Sequence, residues 1–272
     1  MTTIDSKRRV FREIHAAGCF VMPNPWDAGS ARLLAQLGFP ALATTSAGFA
    51  WTLGRPDNGA SLDEVLRHLE TIVRAVELPI NADFEGGFAI VPAEVGANLA
   101  RAVATGIAGI SIEDSTGQAE RPLFDIELSV ERIRAAREAI DRAGAGVLLT
   151  GRSEGFLVGR PDLDETIRRL TAYAAAGADC LYAPGIRSRS EIGAVVAAVA
   201  PKPVNVLVGS DFTTLAELAE LGVRRISVGG ALARTAWSAM LSAATEIAEQ
   251  GTFRGLAAAR PFAEIDGALR RP

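Results

Sequence analysis

The 272-residue chain is 49% hydrophobic with a formal net charge of −4 and a mean hydropathy of +0.20. That is length for one large core or two modest ones. The mild acidity excludes the clustered basic face of a nucleic-acid binder, and no apolar run reaches the ~18 residues of a membrane span.

Residues 1–15 pattern as a charged amphipathic helix carrying Lys7, Arg8, Arg9 and Arg12, with no apolar stretch of the signal-peptide kind. A cytoplasmic protein is expected. Strand signals follow at 18–23 and 40–45, with a helix over 28–37 that Asp27 can cap. Residues 46–60, rich in Gly and polar groups, read as a loop. The helix over 61–76 opens on a capping box, Ser61 with Glu64. Strand three (78–82) ends in Asp83-Phe84-Glu85-Gly86-Gly87 and leads to a helix over 92–105. Strand four (108–112) ends in Glu113-Asp114, followed by a loop over 115–127 and a helix to about 143.

The alternation continues with strands at 146–152, 179–183, 203–208 and 225–228. Their helices lie at 162–176, 188–199, 213–221 and 232–250. Eight apolar strands, each followed by a helix, predict a (β/α)8 TIM barrel in one domain over 1–272. Residues 1–17 add an N-terminal helix and residues 251–272 a helical tail. A doubly wound open sheet would carry a glycine fingerprint after strand one; Pro23-Asn24-Pro25-Trp26-Asp27 is not one. Cys19 and Cys180, far apart and without metal-type spacing, read as small hydrophobes.

Such a barrel works at the C-terminal ends of its strands. The side chains expected there are mainly acids, with Thr45, Ser46, Arg152, Tyr182 and Asn205. Only Lys7 and Lys202, and only His15 and His68, occur in the chain. Both histidines fall on predicted helices and Lys202 precedes strand seven, at the opposite end. A His-based zinc site, a Ser-His-Asp triad and a Schiff-base lysine are therefore disfavoured. Acids at strand ends are costly without a cation. Asp83, Glu85 and Glu113 suit Mg2+ or Mn2+ through oxygen ligands, direct or through water; the alternative is ion pairing with Arg152 or Arg55. Such a metal stabilises an enolate. Arg152 can hold a carboxylate or developing charge, or pair structurally with Glu113 or Glu154.

Several segments in this order resemble the isocitrate lyase / phosphoenolpyruvate mutase superfamily. They are Thr44-Thr45-Ser46-Ala47-Gly48, Gly54-Arg55-Pro56-Asp57, Asn81-Ala82-Asp83-Phe84-Glu85-Gly86-Gly87 and Ser111-Ile112-Glu113-Asp114. Gly151-Arg152-Ser153-Glu154, Tyr182-Ala183-Pro184-Gly185 and Ser227-Val228-Gly229-Gly230-Ala231 complete the set. The resemblance implies Mg2+ or Mn2+ near Asp83, Glu85 and Glu113, and substrate carboxylate binding at Thr45, Ser46 and Ala47. It implies catalytic roles for Asp57, Glu113 and Arg152, and Tyr182 and Asn205 join the expected substrate-binding set. It also implies a homo-oligomer, dimer or tetramer, that exchanges C-terminal helices.

Two departures narrow the activity. Asp83-Phe84-Glu85 stands where the family usually has Asp-x-Asp, and residues 115–127 hold neither the Lys nor the Cys of the lyases' Lys-Lys-Cys-Gly segment. Cleavage of isocitrate or methylisocitrate needs that acid and is not expected. The expected function is Mg2+-dependent C–C cleavage of a small 2-oxo carboxylate through an enolate. Decarboxylation of an oxaloacetate-like acid asks least of the loop, and lyase cleavage of another small acid comes next. The alternatives are phosphoenolpyruvate mutase or phosphonopyruvate hydrolase-like P–C chemistry, and a weakly catalytic 2-oxo acid binding protein.

Overall fold

Parallel pairing runs without interruption around eight strands in the order β1-β8-β7-β6-β5-β4-β3-β2 in the computed structural model, which describes residues 3–270. Met1, Thr2, Arg271 and Pro272, the outer limits of the expected helix and tail, lie outside the described residues. The strands are β1 (Phe20–Met22), β2 (Leu42–Ala43), β3 (Ile80–Asp83) and β4 (Gly109–Glu113), then β5 (Leu148–Arg152), β6 (Cys180–Tyr182), β7 (Val204–Leu207) and β8 (Arg225–Ser227). β1 and β2 share no ladder, but Ala43 N–H donates to Pro23 O at 3.1 Å and brings the two edges together. The result is a nearly closed (β/α)8 TIM barrel, as the alternation predicts.

The helices are α1 (Ile4–Ala16), α2 (Ala28–Ala35), α3 (Ser46–Thr52), α4 (Leu62–Ala75), α5 (Pro92–Ala104) and α6 (Ile126–Arg142). After them come α7 (Leu163–Ala175), α8 (Arg189–Val199), α9 (Leu215–Glu220), α10 (Ala231–Gln250) and α11 (Phe262–Arg270). Asp27 caps α2, and Ser61 with Glu64 forms the expected box on α4. Strand residues alternate between two surroundings. Ile80, Ala82, Ile110, Ile112, Leu149, Leu181, Val206 and Ile226 face outward into one apolar layer shared with the helices. A smaller inner cluster of Phe20, Met22, Ala43, Leu148 and Cys180 fills the lower barrel.

α1 closes the bottom. Phe11 is fully buried in the inner cluster. Lys7 Nζ donates to Val76 O at 2.6 Å, and Arg8 donates to Ile107 O and Val103 O at 3.0 and 2.9 Å. The basic residues of α1 therefore satisfy carbonyls in the last turn of α5 and just beyond the C-terminal ends of α4 and α5, where cations are favoured.

Residues 46–60 are not all loop, because α3 occupies Ser46–Thr52. Thr45 caps it by accepting from Gly48 N–H. Gly48 is present for space: a Cβ there would sit 2.7 Å from Thr45 Cγ2 and 2.9 Å from Trp26 Cβ. The tail also holds more than one short piece, a 3-10 turn over Arg254–Ala258 and then α11. α11 returns to α2, where Arg32 and Gln36 donate to Leu269 O and Ala268 O. Cys180 is buried, Cys19 is half-buried, and both are free.

Candidate active site

The inward positions near the strand ends meet at a cavity of about 180 Å3. Its wall includes Thr45, Ser46, Ala47, Asp57, Asp83, Arg152, Tyr182 and Asn205 from the expected set. Asn24, expected at the end of strand one, lines it too, as do Ser111, Arg225 and Ser227, which had no expected role. Period two along Arg225-Ile226-Ser227 was the available signal, since it turns Arg225 and Ser227 inward together. Glu85 and Glu113 stand just outside this wall, around an adjoining depression with Ser115 and Thr116.

Arg152, the last residue of β5, is the centre of the charge. Its Nη1 lies 3.3 Å from Asp83 Oδ1 and 3.2 Å from Glu113 Oε2. Glu154 grips the other edge, Oε1 on Nε and Oε2 3.3 Å from Nη2. Asp83 Oδ2 also accepts from Ser46 N–H at 3.0 Å, and its own N–H donates to Thr44 Oγ1 at 2.9 Å. Arg55, the other possible partner, is bound instead to Glu64 at 2.9 Å.

A second layer fixes the first. Asp114 accepts from Glu154 N–H at 2.8 Å, from Tyr173 Oη at 2.6 Å and from Arg169 Nη1 at 3.1 Å. Buried polar groups this well partnered hold their geometry. Neither histidine lines the cavity. His15 and His68 are buried, and burial lowers their pKa to about 3 and about 4.

The carboxylates are crowded beyond what one guanidinium neutralises. Burial, then Asp83 and Asp57, pushes Glu85 up to about 8, although Arg152 opposes this. Burial raises Glu113 and Glu154 as well. Burial works against the charge of Arg152, yet Glu154, Glu113, Tyr182 and Asp83 hold its pKa well above the usual value. Asp83, Glu85, Glu113 and Glu154 thus set four carboxyl groups around one guanidinium, more than it can hold ionised.

That excess fits a hard divalent cation. The donors are all oxygen, as Mg2+ or Mn2+ requires, and they are unsatisfied in charge rather than in packing. Among the described residues no three acids are grouped as a ready metal site, because Asp83 and Glu113 are turned toward Arg152. Asp57 is exposed at the rim, with Oδ1 accepting from Asn58 N–H at 3.0 Å.

The fold and site together are a TIM barrel with an acidic, arginine-centred mouth whose cavity is lined by no lysine or histidine among the described residues. Residues 11–248 match the family model described as phosphoenolpyruvate phosphomutase, and the chain belongs to that family, within the isocitrate lyase / phosphoenolpyruvate mutase superfamily of lyases and mutases. An oxaloacetate decarboxylase of Rhodopseudomonas palustris is 30% identical over 268 residues, covering 93% of this chain and 90% of that protein. The oxaloacetate decarboxylase of Bradyrhizobium diazoefficiens is 32% identical over 201 residues, covering 71% of this chain and 68% of that one.

Solved structures agree. A candidate lyase/mutase from Burkholderia cenocepacia superposes with a TM-score of 0.95 at 48% identity, covering 99% of this chain and 97% of that one. A 2,3-dimethylmalate lyase gives 0.85 at 28% identity, covering 98% and 95%. A phosphonopyruvate hydrolase complexed with oxalate and Mg2+ gives 0.84 at 27%, covering 98% and 95%.

Proposed function

We propose that this barrel is a Mg2+- or Mn2+-dependent enzyme that breaks a C–C bond of a small 2-oxo carboxylate through an enolate, with oxaloacetate-like acids as substrates and decarboxylation as the reaction. The observation that carries this reading is the charge excess around Arg152: Asp83, Glu113 and Glu154 pair with it, and Glu85 is raised beside them. The names of the relatives, oxaloacetate decarboxylases and enzymes of other small carboxylates, support the same substrate class.

Asp83, Glu85 and Glu113 would hold the cation, with Asp57 at the rim. When bound, it supplies Lewis acidity to the keto oxygen. The chain's own groups do the rest. The first turn of α3 brings the backbone of Thr45, Ser46 and Ala47 to the cavity, where N–H groups at a helix start suit a carboxylate. Ser46 N–H is engaged by Asp83. Arg152 faces charge developing on the substrate, held in direction by Glu154. Loss of CO2 requires no base from residues 115–127. That loop closes on itself, with Thr116 N–H donating to Pro122 O at 3.0 Å and Phe124 N–H to Asp114 O at 2.9 Å.

The test is a screen of oxaloacetate, phosphonopyruvate, phosphoenolpyruvate and isocitrate with Mg2+ and with EDTA, on the natural chain, Asp83→Ala and Arg152→Ala. CO2 release from oxaloacetate that EDTA and both substitutions abolish is expected. Turnover indifferent to metal and to Asp83→Ala sinks the reading. Turnover of phosphonopyruvate in its place would assign P–C chemistry, and tight binding with no turnover a 2-oxo acid binding protein. The whole chain acts as one domain in this reading, in a cytoplasmic homo-oligomer of two or four copies.

A further inference from the structure

Two arginines line the cavity, and they are held in opposite ways. Arg152 is surrounded by Asp83, Glu113 and Glu154. Arg225, on β8 and 2% exposed, meets only neutral groups among the described residues. Its Nε donates to Asn205 Oδ1 at 2.8 Å and its Nη2 to Thr150 Oγ1 at 3.0 Å, while Nη1 faces His15 Nε2 at 3.5 Å. His15 Nδ1 lies 2.7 Å from Phe11 O, which can only accept, so Nδ1 carries the ring proton and Nε2 is the acceptor. Burial and then Arg225 hold this imidazole at a pKa of about 3, so it stays neutral.

A buried ion without a counter-charge is costly. The buried arginines that serve the scaffold are anchored differently. Arg8 and Arg132 donate to backbone carbonyls, and neither lines this cavity. Arg225 donates to side chains, and three of its five N–H groups are engaged. The two left over are one on each Nη, enough for the two oxygens of a carboxylate. The acids of the cavity wall are committed elsewhere. Asp83 gives one oxygen to Arg152 and the other to Ser46 N–H, and Asp57 stands exposed at the rim. Arg225 also lies two residues deeper on β8 than Ser227 and touches α1 below through His15. The cavity of about 180 Å3 thus has a cation in its floor and the first turn of α3 nearer its mouth.

We propose, on the reading that this cavity takes 2-oxo carboxylates, that Arg225 is the counter-ion for a second carboxylate of the substrate, so that the site selects a dicarboxylate over the monocarboxylate left when CO2 departs. One carboxylate rests at the first turn of α3 and the other turns to the floor, supplying the charge that Arg225 lacks. Breaking the C–C bond leaves its electron pair on the enolate and turns the second carboxylate into neutral CO2. The enolate carbon then takes a proton from solvent water, and the product keeps one carboxylate. Arg225 is uncompensated again, so product binds more weakly than substrate. A contact with a group that loses its charge is not strengthened in the transition state, so Arg225 acts on binding and selection rather than on the chemical step. Asn205 is its positioning residue: Oδ1 accepts from Arg225, and Nδ2 donates to Ser227 Oγ at 2.9 Å.

The experiment measures inhibition of oxaloacetate decarboxylation by malate and by lactate at saturating Mg2+. These acids match substrate and product but carry a hydroxyl in place of the keto group, so neither forms the enolate. The natural chain is expected to bind malate at least ~10-fold more tightly than lactate, the range of a hydrogen bond to a charged group. Arg225→Met should weaken malate, spare lactate and bring the two inhibition constants within about threefold of each other, while raising KM for oxaloacetate by more than it lowers kcat. Equal inhibition by the two acids in the natural chain overturns the proposal. So does a preference for malate undiminished in Arg225→Met, the result of a purely structural role, which would weaken both acids alike. Arg225→Gln gives the same readings if the methionine variant does not fold. No CO2 release from oxaloacetate by the natural chain overturns the enolate reading itself. Calorimetric titration of malate and lactate into that chain still reads the preference, which separates the two failures.

Discussion

Glu154 and Arg152 lie two residues apart, on β5 and just beyond it, and their side chains meet edge to edge, both carboxylate oxygens on the guanidinium. The pair matters because Arg152 is also the cation that Asp83 and Glu113 now face. Arg152 and a divalent metal draw on the same carboxylates. Glu154 draws the guanidinium to the opposite side and so keeps those acids available.

Glu154→Gln should weaken that restraint while preserving the side chain's shape. The freed charge of Arg152 then competes more strongly, and the Mg2+ dissociation constant rises by about tenfold, equivalent to ~1.4 kcal/mol. Arg152→Gln should have the opposite sign on metal binding and still abolish turnover. Calorimetric titration of Mg2+ into the three proteins checks this. Equal affinities would show that Arg152 and the metal do not compete.

Metal binding should also depend on pH with a definite sign. With its pKa raised to about 8, Glu85 keeps its proton near neutrality when no cation is present. Its unfolded value is about 4.3. Between those values the folded chain binds more protons than the unfolded one, so this contribution to stability is full at low pH and is lost as pH rises toward 8. A cation must displace that proton, so Mg2+ affinity should rise from pH 6 to pH 8 by up to tenfold per unit for one proton released. Glu85→Gln should flatten the rise. Affinity measured across that range by calorimetry decides it, and a slope unchanged by Glu85→Gln rules Glu85 out as the linked group.

The features legible in the sequence were those governed by local period. Alternation of apolar strands and helices shows the barrel, and acids at alternate positions such as Asp83 and Glu85 stand out against apolar neighbours. What escaped depends on contacts distant in the chain. α3 was hidden because Gly48 reads as a flexible position, whereas in the fold its missing Cβ admits Trp26 and the Thr45 methyl. Arg225 was visible as a residue, but its neutral partners Asn205, Thr150 and His15 come from three other elements. The ion pairs of Arg152 with Glu113 and Glu154 were open alternatives in the sequence; only geometry shows that both form around one guanidinium.

The barrel floor offers a test of packing. A Cβ on Gly109 would lie 2.4 Å from Phe11 Cε1 and 2.6 Å from Asn81 Oδ1. Phe11 belongs to the plug helix and Asn81 to the cavity wall, so the glycine joins the two. Gly109→Ala should cost ~1–3 kcal/mol by overpacking. Phe11→Leu in the same chain should return part of that loss, giving a non-additive pair. Urea unfolding of the four combinations measures it, and strictly additive effects would show that the methyl is accommodated elsewhere.

Met240 and Leu241 on α10, Phe253 beyond it and Phe262 on α11 are large apolar side chains left more than half exposed. Large apolar side chains left exposed in number suit an interaction surface, and a homo-oligomer joined through α10 and the tail would cover them. The natural chain should therefore run as two or four copies in light scattering. Leu241→Asp combined with Phe262→Asp should shift the mass to one copy, because an ionised carboxylate in the covered surface has no partner there. The strands and the Arg152 cluster lie apart from these positions, so far-ultraviolet circular dichroism of the variant should match the natural chain. A natural chain that already runs as a single copy at micromolar concentration would remove the oligomer from the proposed function and leave the barrel's chemistry to one subunit.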